Sequence, residues 1–401
     1  MDISHRKVTK RIQFKDEKGN PLSNQEIQVK QKKHDFLFGC GGFDFIPYVT
    51  KGDESYKEVT ESWLEIFNYA TLPFYWGNYE KVEGQPDQDN LMKTALYLKD
   101  KGVTVKGHPL CWHTVCADWL MQYDNATIMQ KQLARIDRDV SAFRGVIDMW
   151  DVINEVVIMP IFDKYDNAMT RVCKEKGRVA MIKEVFNQAH ATNPDAVLLL
   201  NDFNTSTNYE ILIDGCLQAG VPISAIGIQS HQHQGYWGKE KVLEVLERFD
   251  HFGLPIHFTE NTLISGEIMP AYIEDLNDWQ VESWPTTPEG EERQAREIEE
   301  MYRILFSHPL VQAITTWDYR DGAWLKAPSG FIRQDNSRKP SYEMLKKLVK
   351  EEWWTDTSVK TDENGFALVE GFKGEYNLIS SLGEASVSLT DDQETAVFFR
   401  R

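Results

Sequence analysis

The sequence has no long hydrophobic run and comparatively few basic residues. No apolar stretch approaches the roughly 20 residues that a membrane-spanning helix requires, so we expect no membrane partner. The 44 Lys and Arg residues stand against 62 Asp and Glu residues, which gives a formal net charge of −18. Because phosphate backbones repel such a chain, we expect no nucleic-acid partner either.

The first residues, MDISHRKVTKRIQF, lack the apolar core of a signal peptide. The compartment therefore stays open. We expect a secreted or periplasmic protein if a signal peptide has been removed, and a cytoplasmic protein otherwise.

Cysteine and histidine spacings typical of metal sites are also scarce. The cysteines are odd in number and scattered, and we expect reduced, largely buried thiols at Cys40, Cys111, Cys116, Cys173 and Cys216. The one close histidine pair at a predicted strand end is His231 and His233, and no HExxH motif occurs. We therefore predict neither a metal nor a cofactor.

Tryptophan, by contrast, is frequent: the chain has 12 Trp residues and an aromatic share of 12%. Flat indole rings stack on the apolar faces of sugars, although they are equally common in large cores. The length suits one large domain of about 250–300 residues with a smaller attachment.

Eight short apolar runs alternate with helical stretches. The runs lie at 35–41, 67–74, 103–110, 145–154, 196–203, 224–231, 254–260 and 311–318. Continuous apolar runs between amphipathic helices, such as GEERQAREIEEMYRILFSH, indicate parallel strands covered on the outside. Eight βα units predict an α/β fold, specifically a (β/α)8 TIM barrel.

The two ends of the chain have the pattern of β-strands. KRIQFKDEKGNPLSNQEIQVKQ contains two short strands around a Gly-Asn-Pro turn, and residues 357–401 alternate polar and apolar side chains between Asn-Gly and Lys-Gly turns. Together they resemble one small β-sandwich of the carboxypeptidase-regulatory-like type. The predicted domains are 1–34 (N-terminal part of the sandwich), 35–353 (barrel) and 354–401 (C-terminal part of the sandwich).

Polar residues cluster at the C-terminal ends of the predicted strands, where barrels of this kind place their active sites. Glu155 follows the fourth run and Glu260 ends the seventh. Hydrolysis of a glycosidic bond needs such a pair, with one carboxyl protonated and the other ionised. A separation of about 5–5.5 Å favours retention of configuration, whereas about 6.5–9.5 Å leaves room for water and inversion.

Five short motifs, in order and each at a strand end, resemble those of glycoside hydrolase family 10. They are GHPLCWH (107–113), WDVINE (150–155), AIGIQSH (225–231), FTENT (258–262) and the late series Trp317, Asp321 and Trp324. The resemblance covers residues 35–350. It implies a retaining, endo-β-1,4-xylanase-like glycoside hydrolase that cleaves β-linked plant polysaccharide by double displacement.

Carried over position by position, the resemblance implies two catalytic residues. Glu155 would be the general acid/base and Glu260 the nucleophile. Asn154 would bond the 2-hydroxyl of the sugar under attack, and Gln229 and His231 would position the nucleophile.

The resemblance also implies the residues that contact the remaining sugars. His108 and Trp112 would shape the glycone side, and Trp317 and Trp324 would form the floor and wall of the subsites. Asp151 is expected to support these residues from behind.

The sequence departs from the family's pattern on the glycone side. After the second strand the family has Glu, Asn and Lys where this chain has Pro73, Phe74 and Gly77. The family's Asp two places after the nucleophile is Thr262 here, and the Tyr of its NDYN motif is Phe203. A site that loses hydrogen bonds to sugar hydroxyls should discriminate less well in favour of unsubstituted xylan.

These departures leave alternatives open. One is a β-glycosidase that acts on a decorated xylan or a plant glycoside, another is a catalytically weak carbohydrate-binding barrel, and a third is a metal-dependent hydrolase. Segment 262–288, with Trp279 and Trp284, is a candidate cover for the site. The expected partner is a carbohydrate, xylan or a related β-glycan, and the expected state is a monomer.

Overall fold

The computed structural model describes residues 1–400, and the apolar runs of the sequence form its barrel. Two strands come first, β1 (Lys7–Lys15) and β2 (Glu26–His34). They are followed by β3 (Leu37–Gly41), β4 (Tyr69–Pro73), β5 (Thr104–His108), β6 (Met149–Asn154), β7 (Val197–Asp202), β8 (Ala225–Ile228), the two-residue β9 (His231–Gln232), β10 (Ile256–Leu263) and β11 (Val311–Thr316). Strands β3 to β8, β10 and β11 pair in parallel in that order, and β11 closes the ring against β3. The predicted eight-stranded barrel is confirmed.

Helices fill the connections between barrel strands, as parallel pairing requires. They are α1 (Phe45–Lys51), α2 (Lys57–Leu64), α3 (Trp76–Tyr79), α4 (Gln88–Asp100), α5 (Asn125–Phe143), α6 (Ala168–Lys176), α7 (Arg178–Thr192), α8 (Thr207–Gln218), α9 (Gly238–Asp250), α10 (Pro288–Ser307) and α11 (Pro340–Lys347). Short 3-10 turns occur at Ser4–Arg6, Glu54–Tyr56, Asp118–Gln122, Met159–Ile161 and Leu276–Asp278, and a π turn at Leu348–Glu352.

The burial of the barrel strands explains why their sequences are continuously apolar. Every residue of β10 is buried, and so is all of β7 after its first residue. Helix α10 shows the complementary pattern, with one buried face. It begins with Pro288 at its first position, and the Thr287 side chain accepts a hydrogen bond from the Gly290 N–H.

The two ends of the chain meet in a β-sandwich. After the barrel come β12 (Asp356–Lys360), β13 (Phe366–Phe372), β14 (Gly374–Ser380), β15 (Gly383–Leu389) and β16 (Thr395–Phe398). One sheet has the order β13-β1-β16 and the other β12-β2-β14-β15, so β1 and β2 enter different sheets and do not form a hairpin. The sandwich has its own core, which includes Ile12, Phe14, Ile27, Val29, Val369, Tyr376, Leu378 and Leu389. The predicted domain limits after residues 34 and 353 stay predictions.

The thiols and helices give two further results. All five cysteines are free, and only Cys116 is partly exposed. Among residues 1–400, no helix is both long enough and apolar enough to cross a membrane.

Arg6 joins the sandwich to the barrel. Its guanidinium donates hydrogen bonds to the carbonyl oxygens of Phe306 (2.8 Å), His308 (2.7 Å) and Val311 (2.6 Å). It also lies over the Phe36 ring, 4.6 Å from the ring centre. Because these carbonyls lie at and just beyond the C-terminal end of α10, the cation also interacts favourably with the helix dipole.

We expect Arg6→Leu to lower the free energy of unfolding by about 2–4 kcal/mol, because hydrogen bonds to a charged group contribute about 1.5–3 kcal/mol each and are partly replaced by water. Urea denaturation measures the change. The matched control is Arg11→Leu, which removes an exposed ion pair with Glu394 and should cost less than about 1 kcal/mol. Equal losses in the two variants would contradict the role assigned to Arg6.

Candidate active site

The two candidate catalytic glutamates lie at the mouth of the barrel, at the ends of β6 and β10. Glu155 directly follows β6, the fourth barrel strand, and Glu260 lies within β10, the seventh. Glu155 has a φ of 56°, and its N–H donates to the Asn201 carbonyl at 2.9 Å. A left-handed backbone costs a residue other than glycine about 1–3 kcal/mol, and such strain concentrates at functional sites.

Three side-chain amides, those of Gln229, Asn154 and Asn201, connect the two glutamates through hydrogen bonds. Oδ1 of Asn154 accepts from Asn201 Nδ2 at 2.8 Å and from Gln229 Nε2 at 3.1 Å. The same Asn201 nitrogen donates to Glu260 Oε1 at 2.8 Å, and the same Gln229 nitrogen donates to Glu155 Oε1 at 3.0 Å. The carboxyl groups therefore share one rigid network. Asn154 Nδ2 is buried and has no hydrogen-bond partner within residues 1–400, so it can donate to a substrate.

Glu155 lies in an environment that favours its neutral form. Burial raises the pKa of this carboxyl to about 8, and the charge of Glu260 acts in the same direction. Hydrogen bonds from Gln229 and from Trp112 Nε1, at 2.9 Å to Oε2, oppose the rise. A carboxyl group that keeps its proton at neutral pH can act as a general acid.

Glu260 has the opposite electrostatic environment. Burial alone would raise its pKa, but the neighbouring His108, His231 and Lys106 outweigh burial and lower the pKa below the ordinary value for Glu. His231 Nε2 lies 3.1 Å from Oε2, and His108 Nε2 lies 3.9 Å from Oε1. Glu260 is therefore ionised when Glu155 is protonated.

A buried ion pair holds His108 in place. Asp151 Oδ2 lies 2.6 Å from Lys106 Nζ and 2.7 Å from His108 Nδ1. Because Nδ1 is bound to the carboxylate, Nε2 of His108 faces Glu260. Asp151 thus supports the mouth from behind. The sequence did not single out Lys106, which interrupts an apolar run.

The two late tryptophans adjoin the same mouth. The Trp317 ring is edge-on to His108, with 5.3 Å between ring centres, and it approaches His231 at 6.3 Å. The Trp324 ring lies 4.7 Å from His231. The structure thus brings together every site residue that the sequence predicted.

The comparisons with known proteins agree with this geometry. Residues 66–348, more than half of the chain, match the model described as glycosyl hydrolase family 10. The chain belongs to this family. A Beta-1,4-xylanase of Dictyoglomus thermophilum is 28% identical over 273 residues, which cover 62% of this chain and 72% of that protein.

Another relative differs in name and length. The Anti-sigma-I factor RsgI6 of Acetivibrio thermocellus is 23% identical over 382 residues, which cover 93% of this chain and 45% of that protein. This chain therefore spans less than half the length of that relative. Among solved structures, a family 10 structure from Paenibacillus barcinonensis has a TM-score of 0.65 and 23% identity, covering 79% of this chain and 95% of that one. At that identity the likeness shows the fold alone.

One sequence-based expectation for the family 10 site changes in detail. Gln229, expected to position the nucleophile, accepts the Glu260 N–H at its backbone carbonyl (3.1 Å), but its side chain contacts Glu155 and Asn154. Asn201, which was not among the predicted site residues, donates its side-chain N–H to Glu260. The partners of both amides depend on side-chain direction.

Two of the replaced glycone positions of family 10, Phe74 and Gly77, are closely packed. Phe74 is buried against Trp150 and Phe143, at 4.9 and 5.1 Å between ring centres. Gly77 lies so close to the loop after β5 that an added Cβ would be 2.8 Å from the Cys116 carbonyl oxygen. A lysine therefore cannot replace this glycine without moving the backbone.

Tyr75 is the residue that replaces them at the mouth, and the sequence did not predict it. Its ring is edge-on to His108 and tilted against Trp112, both at 5.7 Å between ring centres. Burial and the charges of Glu260 and Glu155 raise the pKa of its phenol well above the ordinary value. Tyr75 is therefore a neutral aromatic neighbour of both carboxylates. Its signal in the sequence was an aromatic residue two positions after the end of a barrel strand.

Thr262 does not take over the role of the family's aspartate. Its Oγ1 lies 3.2 Å from His233 Nδ1, whereas Nδ1 of His231 has no hydrogen-bond partner among the described residues. Phe203 is exposed on the loop after β7. Within residues 1–400, no group of three or more His, Cys, Asp or Glu side chains is arranged to hold a metal ion.

We expect a bell-shaped pH dependence of kcat/KM on an aryl β-glycoside. The acid limb should lie below the ordinary Glu pKa of about 4.3, because Glu260 must be ionised, and the alkaline limb near pH 8, because Glu155 must be protonated. Trp112→Phe removes a hydrogen bond that stabilises ionised Glu155, so the alkaline limb should move to higher pH while the acid limb stays.

The matched control is Trp119→Phe, which removes an indole hydrogen bond to the Glu80 carbonyl. This variant should leave both limbs in place. If Trp112→Phe leaves the alkaline limb unmoved or lowers it, Glu155 does not control that limb.

Proposed function

We propose that the protein is a retaining glycoside hydrolase that cleaves a β-1,4-linked xylan-type glycan by double displacement. The observation that carries the proposal is the opposed charge state of two glutamates held in one network. Glu155 has its pKa raised to about 8, and Glu260 has its pKa lowered. Family 10 membership and the xylanase names among its relatives support the choice of glycan.

In the first step, the Glu260 carboxylate attacks the anomeric carbon and forms an ester bond. The bond from that carbon to the leaving oxygen breaks as Glu155 gives that oxygen its proton. The Asn154 amide donates to the 2-hydroxyl of the same sugar, an interaction that strengthens in the transition state.

In the second step, ionised Glu155 takes a proton from water while the water oxygen attacks the anomeric carbon. The ester bond to Glu260 breaks, and the nucleophile leaves as a carboxylate. Two displacements at one carbon give retention of configuration. The acid and the base are the same residue, and both glutamates return to their starting protonation states.

A second candidate function is carbohydrate binding without turnover. The loss of polar groups at positions 73, 74 and 77 favours it, because fewer hydrogen bonds hold the glycone in a productive position. The matched acid and nucleophile favour catalysis instead, since binding alone needs no such pair of pKa values. We propose the enzyme, acting as a monomer.

Azide trapping separates the two roles. With a dinitrophenyl β-xylobioside, whose leaving group needs no protonation, Glu155→Ala should form the ester but hydrolyse it slowly. Azide should then attack the ester and give a β-glycosyl azide of retained configuration. Glu260→Ala forms no ester, so azide should attack directly and give the α-azide. Proton NMR of the products distinguishes them.

The control is Glu58→Ala on the exposed face of α2, which should keep wild-type activity. On a substrate with a poor leaving group, Glu155→Ala should lose about 10²–10⁴-fold in kcat, the usual contribution of a general acid. If the Glu155→Ala and Glu260→Ala variants both hydrolyse the substrate at the wild-type rate, the proposed function is overturned.

A further inference from the structure

The loop after β10 is an ordered segment across the barrel mouth. We call residues 264–287 the strap. Its base is fixed by a hydrogen bond from the Ser265 N–H to the Pro328 carbonyl (2.9 Å) and by one from Trp284 Nε1 to the Glu267 carbonyl (2.8 Å). Three residues of the strap, Ile264, Met269 and Trp284, pack with Ala327 in a small apolar cluster.

Each limb of the strap is bound to a neighbouring loop. On the outgoing limb, Gln234 Nε2 donates to the carbonyls of Pro270 (3.1 Å) and Ile273 (2.7 Å). Gln234 belongs to the loop after β8, the sixth barrel strand. On the returning limb, Lys326 Nζ, in the loop after β11, donates to the Val281 carbonyl at 3.1 Å. The strap is thus supported on both sides of β10.

The tip of the strap is attached on the far side of the mouth. Asp275 Oδ2 and Asp278 Oδ1 lie 2.7 and 2.6 Å from Lys164 Nζ, which belongs to the loop that follows Glu155. Two residues before Lys164, the Phe162 ring packs on His113 at 4.5 Å, in the loop after β5. The tip is therefore bound where the third and fourth strand loops meet.

The strap therefore bridges the two sides of the mouth, because it begins at the strand of Glu260 and its tip is bound to the loop that follows Glu155. An open cleft admits any internal stretch of a polymer, whereas a mouth crossed by a strap admits a chain by its end. Resting on the proposed function, we infer that the strap, fastened by Lys164 to Asp275 and Asp278, restricts attack to chain ends and short glycosides. Lys164 is then a specificity-determining residue outside the catalytic machinery.

The fastening is an exposed ion pair, so it can be released by substitution or by salt. The side chains of Lys164, Asp275 and Asp278 are 40, 33 and 60% exposed. Lys164→Glu sets like charges against each other. It should raise kcat/KM on soluble polymeric xylan about two- to fivefold, the range that an exposed ion pair supports, and leave an aryl β-xylobioside unchanged.

Exchanging the charges tests the pair itself. Lys164→Glu combined with Asp275→Lys and Asp278→Lys should restore wild-type behaviour. The matched control is Lys241→Glu, which breaks a similarly exposed pair with Glu244 on α9 and should change neither substrate. The wild type should release reducing ends with little fall in xylan viscosity, and Lys164→Glu should make the fall steeper.

Chymotryptic cleavage within the strap, after the exposed Tyr272, reports the attachment without catalysis. Cleavage should be faster in Lys164→Glu than in the wild type or in Lys241→Glu. The inference is overturned if chymotrypsin cleaves the strap equally fast in the wild type and in Lys164→Glu. It is also overturned if the wild type lowers xylan viscosity as steeply as Lys164→Glu. Failure to hydrolyse any β-xyloside overturns the proposed function instead, and cleavage still decides whether Lys164 fastens the strap.

Discussion

A single oxygen atom, Oδ1 of Asn154, orients both carboxyl groups of the active site. It accepts hydrogen bonds from the amides of Asn201 and Gln229, and each amide nitrogen donates to one glutamate as well. An amide nitrogen carries two hydrogens in a fixed plane, so fixing one bond fixes the direction of the other. The spacing of the glutamates is therefore set by the backbones of four neighbouring strands, β6, β7, β8 and β10, rather than by flexible side chains.

The same network treats the two glutamates unequally, because the groups that donate hydrogen bonds to Glu155 are neutral, whereas histidine and lysine side chains lie near Glu260. Glu155 receives hydrogen bonds from an amide and an indole, which do not offset its burial. Glu260 lies beside histidines and near Lys106, which do offset burial. The two carboxyl groups thus differ in protonation because of the depth of the site and the asymmetric placement of histidine and lysine side chains, without any difference between the two residue types.

The sequence predicted the barrel from backbone periodicity, whereas it predicted the site residues mainly through the resemblance to family 10. A continuous apolar run identifies a buried strand, and the first polar residue after it lies at the mouth. What a polar residue contacts there depends on side-chain torsions and on the stagger of neighbouring strands, which spacing does not encode. For this reason Gln229 was predicted at the mouth, but the contact of its side chain with Glu155 and the contact of Asn201 with Glu260 are seen only in the structure. Lys106 was missed because a buried cation in a strand looks like an interruption of the run.

The departures from the family pattern lie outside the network that holds the two carboxyl groups. They occur in strands (Pro73 in β4 and Thr262 in β10), in α3 (Gly77) and in loops (Phe74 and Phe203). Phe74 packs in the core, so the family's asparagine there would be a buried polar group, and Gly77 lies so close to the carbonyls of the next loop that the family's lysine would clash. Tyr75 and the strap occupy the mouth instead. The departures thus alter the packing around the mouth and leave the hydrogen-bonded network of the two glutamates intact.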